Sequence, residues 1–129
     1  MKTVSKFSLF FVGSVLSCAA WADGTLTAAH GGRMVEAAGH RLELVTMEDR
    51  VDLYLTDHGD QPVAAEKTKG KVTLLLTTGK VEIPLTPSGG NLLSGAGKAA
   101  GGKDVAAVVV VEGLNKPVIA RLPAVPQGK

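Results

Sequence analysis

Cysteine, aromatic side chains and net charge are all scarce in this 129-residue chain, and most of what exists sits at one end. The only cysteine (Cys18), the only tryptophan (Trp21) and all three phenylalanines (Phe7, Phe10, Phe11) lie before Ala22. Beyond them Tyr54 is the sole Phe, Tyr or Trp, so any core built there must be aliphatic. Without a thiol after Ala22, that part can form no disulfide and carries no cysteine nucleophile. The formal charge of +2 comes from Lys2 and Lys6; removing them leaves 12 basic side chains against 12 acidic ones. A balanced surface offers no electrostatic footprint for nucleic acid or anionic lipid. The sequence also holds no G-x-S-x-G, P-loop or H-E-x-x-H. Its Gly-Gly pairs at 31–32, 89–90 and 101–102 precede no helical pattern, so they read as turns rather than phosphate cradles. A Ser-His-Asp set assembled from Ser88 or Ser94 has no spacing to constrain it. The expectation is a non-catalytic protein.

The aromatic-rich beginning explains the asymmetry. Lys2 and Lys6 form a basic start, Phe7 to Ala20 is a nearly unbroken apolar run, and Ala20-Trp21-Ala22 supplies small residues on both sides of Trp21. This is the layout of a secretory signal peptide over residues 1–22, cleaved after Ala22, and it predicts a periplasmic protein. Val15-Leu16-Ser17-Cys18 gives the alternative of a lipoprotein box, with Cys18 as lipidated N-terminus. No later apolar stretch is long enough to span a bilayer; the longest candidate, Val105 to Val111, is far too short.

The remainder, from Asp23 to Lys129, has the length of one domain. Residues 23–32 read as a flexible lead-in, 33–122 as the domain and 123–129 as a Pro/Gly tail. His40 to Met47 alternates, with Leu42, Leu44 and Thr46 opposite Arg41, Glu43 and Val45. Arg50 to Thr56 alternates in the same way, and Glu48-Asp49 between them predicts an antiparallel hairpin. Asp57-His58-Gly59-Asp60 is turn chemistry, and Val63 to Glu66 reads as a short edge strand. Lys71 to Thr78 and Lys80 to Thr86 form a second hairpin about Gly79. Pro84 has no N–H to donate and places the latter strand at an edge or a bulge. Asn91 to Ser94 is another short strand. Gly95 to Gly102 is too glycine-rich for a helix. Val105 to Glu112 is continuously apolar, as a strand buried on both faces would be, and Pro117 to Leu122 is the last strand. This spacing predicts an all-β fold, an antiparallel sandwich of about seven strands with immunoglobulin-like architecture.

Metal binding is the sharper chemical possibility. His30, His40 and His58 supply imidazoles, and Met34 and Met47 thioethers, which together suit copper or zinc. His30 and Met34 straddle Gly31-Gly32, and Asp57-His58 falls where a strand gives way to a turn. The candidate ligands are therefore His30, His58, Asp57, His40 and Met34. Against this stands the plain reading. Three scattered histidines are ordinary, the methionines can be core filler, and Asp57 can close an Asx-turn. Tyr54 is either a cross-strand packing residue or a surface anchor for a partner.

A resemblance adds to these readings. His30-Gly31-Gly32-Arg33-Met34-Val35-Glu36-Ala37 is followed by Leu42-Glu43-Leu44-Val45 and Leu53-Tyr54-Leu55-Thr56-Asp57-His58. The run from Pro87 to Gly95 and the segment from Lys116 to Leu122 complete the series. In this order they resemble a family of small bacterial periplasmic proteins, similar to segments that precede the adaptor portion of heavy-metal efflux membrane-fusion proteins. The resemblance implies a β-sandwich in the cell envelope and an association with copper, silver, zinc or cobalt efflux. The implied partner is an efflux adaptor or another envelope protein, and His30 with Asp57-His58 are the implied ligands. Such proteins often begin with a His-rich stretch, whereas Asp23 to Ala29 contains no histidine.

Overall fold

The computed structural model describes Leu26 and residues 28–126. The segment 1–22 that the sequence predicts as a leader, with Cys18 and Trp21, lies outside the described residues, as do most of the expected lead-in up to Thr27 and the last three positions of the tail. Eight strands follow in order: β1 Arg33–Ala37, β2 His40–Thr46, β3 Arg50–Asp57, β4 Lys69–Leu76, β5 Gly79–Pro87, β6 Leu92–Ala96, β7 Ala107–Glu112 and β8 Val118–Leu122. All neighbours are antiparallel, in the order β1-β2-β3-β6-β5-β4-β7-β8, and none of the described residues is helical.

Alternation builds each element. Leu42 and Leu44 of β2 face Leu55 and Leu53 of β3 in register, and all four are buried. Val72 and Leu74 of β4, Ile83 and Leu85 of β5, Val109 and Val111 of β7 fill the other half of the interior. Turn chemistry sets the hairpins. Ala37 pairs with His40, and Ala38 and Gly39 between them both have positive φ (51° and 79°), the two-residue turn whose twist suits a hairpin. Met47 N–H donates to the Arg50 carbonyl at 2.8 Å, so Glu48-Asp49 is the β2–β3 turn that the sequence predicts. In the β4–β5 hairpin Leu76 pairs with Gly79, which moves the turn to Thr77-Thr78.

The β5 strand joins two halves. Gly79 to Leu85 pairs with β4, while Thr86 and Pro87 pair with Ser94 and Leu93 of β6. The result is one nearly closed, barrel-like sheet of eight strands, rather than the predicted sandwich of about seven. Three further expectations are refined. The strand containing Pro84 is interior to the sheet order, but Pro84 itself lies on a stretch paired only with β4, edge-like as its missing N–H requires, because the β6 ladder starts at Thr86. Val63 to Glu66 forms no strand, and the chain there makes a single bridge, Thr56 to Pro62. The apolar strand β7 is not buried on both faces, because its outward side chains Val108 and Val110 are only half-buried.

Gly95 fixes the corner where the halves meet. A Cβ there would collide with the Pro84 carbonyl and lie 2.9 Å from the Ile83 side chain, so no larger residue fits. At the opposite side β1 and β8 approach with Cα atoms within 8 Å but form no ladder. Arg33 crosses this seam with its side chain. Its Nη1 donates to the carbonyls of Val105 (2.8 Å) and Pro123 (3.2 Å), and its Nη2 to that of Gly102 (3.4 Å).

Candidate functional site

The outward side chains of β1, β2 and β3 carry the densest polar organisation. Strand register places Glu43 between Met34 of β1 and Tyr54 of β3. An outward glutamate would ordinarily be solvated, yet Glu43 is only 4% exposed. What covers it is the segment just before β1, folded back over the sheet. Gly31 has φ +74°, a conformation that favours glycine. A Cβ on Gly32 would come within 2.5 Å of the Leu44 carbonyl oxygen. The two glycines of the His-Gly-Gly element are thus required by a sharp turn and a close approach.

The turn aims three donors at one carboxylate. The N–H groups of His30 and Gly32 donate to Glu43 Oε2 at 2.8 and 2.9 Å, and His30 Nδ1 lies 2.8 Å from Oε1. The imidazole also stacks on Tyr54, with centroids 3.6 Å apart and planes within 3°. Burial alone would push the Glu43 carboxyl upward, but the bonds from Gly32 and from the His30 ring and amide, with the charge of His30, outweigh it. Its pKa falls below the ordinary value. An ionised carboxylate only accepts, so Nδ1 carries the ring proton. In the neutral ring the lone pair then resides on Nε2, across the imidazole from Glu43, and His30 is 44% exposed.

A second polar group lies at the far end of the β2–β3 ladder, where His40 pairs with Asp57. Asp57 Oδ1 accepts from the N–H groups of Gly59 (2.8 Å) and Gln61 (3.0 Å). The Gln61 bond is the main cause that holds this carboxyl below its usual range. Slight burial opposes it, and the Gly59 bond and the charges of His58 and His40 add to it. Asp57 therefore closes an Asx-type turn, the plainer of its two readings. His40 Nδ1 lies 3.1 Å from the Ala38 carbonyl.

The five candidate ligands consequently fall into two groups. His30 and Met34 flank Glu43, whereas His40, Asp57 and His58 gather at the strand end. Among the described residues no three His, Cys, Asp or Glu side chains converge as ligands of one ion. Sequence reasoning assigned no role to Glu43 or Arg33. The Gly-Gly pair before β1 signals only a turn, and strand alternation alone put Glu43 in solvent. Compared with known proteins, the chain matches no family model, and neither a curated protein nor a solved structure is detectably similar to it.

Proposed function

We propose that this protein is an exported, non-catalytic accessory of heavy-metal handling in the cell envelope, with His30 as its principal ligand toward copper, silver, zinc or cobalt. One observation carries the reading: the His30 imidazole is held at Nδ1 by a buried carboxylate. Metal-binding histidines are commonly oriented by such a partner, which fixes the tautomer and leaves the other nitrogen open. Met34, on the neighbouring strand beside Glu43, suits the softer ions. The sequence resemblance to envelope proteins of metal efflux supports the same reading, and the signal-like segment ending at Ala22 supports its periplasmic address.

A second reading is an interaction module that binds no metal and docks on an efflux adaptor or another envelope protein. The separation of the five candidate ligands into two groups favours it. Titration of the purified protein with Cu(I), Cu(II) and Zn(II), followed by NMR of the three histidine rings, decides between them. Selective movement of the His30 ring, lost in His30→Ala, supports metal handling. Unmoved rings at about micromolar to millimolar excess remove it and leave the interaction module. Movement confined to His40 and His58 shifts the site to the strand end.

A further inference from the structure

The segment before β1 leaves the sheet one rung early. The β1–β2 ladder ends where Arg33 pairs with Leu44, yet β2 runs on to Thr46. Met47 N–H donates to the Arg50 carbonyl, on the β3 side. Successive residues of an antiparallel strand turn their N–H and C=O groups to opposite sides, so Thr46 turns its own toward β1. Among the described residues no backbone partner meets them there. The Thr46 hydroxyl is buried and equally without a partner. A groove of about 250 Å³ opens beside this residue, lined also by Gly31, Gly32, Lys103 and Asp104.

Continued in the same register, β1 sets Gly31 opposite Thr46 and His30 opposite Met47. One backbone angle prevents it. Gly31, at φ +74°, swings the chain off the ladder and onto Glu43. We propose that His30-Gly31 has a second seat, in which Gly31 completes the rung with Thr46 and His30 and Met47 together hold a soft monovalent cation, Ag(I) or Cu(I). The inference rests on the metal-handling reading and names its class of ion and a second ligand.

The side chains suit such a site. Glu43, Val45 and Met47 follow the outward alternation of β2, and cross-strand partners point to the same face. Because the Gly31–Thr46 pair is the hydrogen-bonded one, His30 and Met47 form a non-hydrogen-bonded pair with Cα atoms about 4.5 Å apart. An imidazole nitrogen and a thioether sulfur can then reach one ion, and thioether selects the softer metals. The Met47 sulfur is engaged only by Arg50 Nη2, at 3.4 Å, a weak contact that an ion displaces. Without an ion the clamp on Glu43 wins. Its three donors meet an ionised carboxylate, and charge-assisted bonds are about twice as strong as the two neutral ones of the rung. An ion that binds only the extended seat shifts the balance by its affinity for that seat.

Ag(I) titration of the purified protein, followed by NMR of the histidine rings, methionine methyls and backbone amides, tests the proposal. The His30 ring and the Met47 methyl should shift together. The Hα atoms of His30 and Met47 should come into contact, and the Thr46 amide should exchange at least about tenfold more slowly. Met47→Leu keeps the volume of a half-buried side chain and should weaken Ag(I) binding about tenfold. Gly31→Ala probes the seat without metal. Its Cβ meets nothing, but an L-residue is strained at this φ, so the Thr46 amide should gain protection in metal-free protein. A His30 ring that moves with Ag(I) while the Met47 methyl stays put overturns the proposal and leaves the metal reading standing. So does Met47→Leu that binds Ag(I) as tightly as the wild type, or a Thr46 amide that stays unprotected once His30 has left Tyr54. If no histidine ring moves with Ag(I), Cu(I), Cu(II) or Zn(II), the proposal falls together with the reading it rests on.

Discussion

The imidazole of His30 lies flat on the phenol of Tyr54, 3.6 Å between centroids, while its Nδ1 is held by Glu43. Tyr54 is the only tyrosine of the chain, and in protein expressed from Asp23 onward no tryptophan is present, so its emission reports on this environment. His30→Ala should change Tyr54 fluorescence and raise its accessibility to a neutral quencher. The stability cost should be about 1 kcal/mol, a stacked pair plus one hydrogen bond. Unchanged quenching would mean that the stack does not persist in solution.

Acid should act through Glu43. Its pKa lies below the ordinary glutamate value of 4.5 in the folded protein, so the native state favours the ionised form more than the unfolded chain does. The stabilisation is full at neutral pH and is lost as the pH falls below 4.5 and through the folded value. Glu43→Gln should lower stability at neutral pH by about 2 kcal/mol and flatten this part of the acid limb. Urea midpoints measured from neutral pH to about pH 2 check both expectations.

Arg33 replaces a missing β ladder with three hydrogen bonds to carbonyls. Arg33→Met should destabilise by about 2 kcal/mol, since the carbonyls lose a charged donor. Arg33→Lys should rescue little, because an ammonium cannot span the same acceptors as a planar fork. Hydrogen exchange should accelerate in β1 and β8 and remain unchanged in the β4–β5 hairpin. Uniform acceleration would show that Arg33 does not act at the seam.

Gly95 and Gly59 make a matched pair. Gly95→Ala drives a methyl into the Pro84 carbonyl at the corner of the sheet and should cost about 3 kcal/mol or more. Gly59→Ala meets only the Asp57 carboxylate at 3.3 Å on the surface and should stay within about 0.5 kcal/mol. Thermal unfolding of the two variants side by side gives the comparison.

Asp57 serves a turn and is also a candidate ligand, and two substitutions separate the roles. Asp57→Asn keeps the oxygen that accepts from Gly59 and Gln61, so the melting temperature should stay close to that of the unsubstituted protein. Asp57→Ala removes that acceptor and should lower the melting temperature relative to Asp57→Asn. If Asp57 also ligates metal, Asp57→Asn weakens binding while the melting temperature stays put.

Alternation made the inside of this protein legible. Leu42, Leu44, Leu53 and Leu55 are buried as their period of two requires, and the β2–β3 turn falls at Glu48-Asp49. A period of two tells which face a side chain takes but not which strands become neighbours. The eighth strand, the passage of β5 between the two halves and the interior place of the strand that holds Pro84 all depend on pairings made far along the chain. Tyr54 does pack, yet its partner is the ring of His30, a residue outside any strand. Glu43 escaped notice for the same reason: its burial is imposed by residues 30–32 folding back, not by its own strand.

The seam has a consequence for folding order. Its two sides are β1 and β8, the first and last strands of the sheet, and the Arg33–Val105 contact spans 72 residues. Closing so long a loop carries a high entropic cost, so this contact should form late, after the local hairpins β2–β3 and β4–β5. Until then the sheet is an open ribbon with two bare edges, the species most exposed to wrong pairing with other chains. The side chain that spans the seam therefore matters most during the last moments of folding, when it decides how briefly those edges stay uncovered.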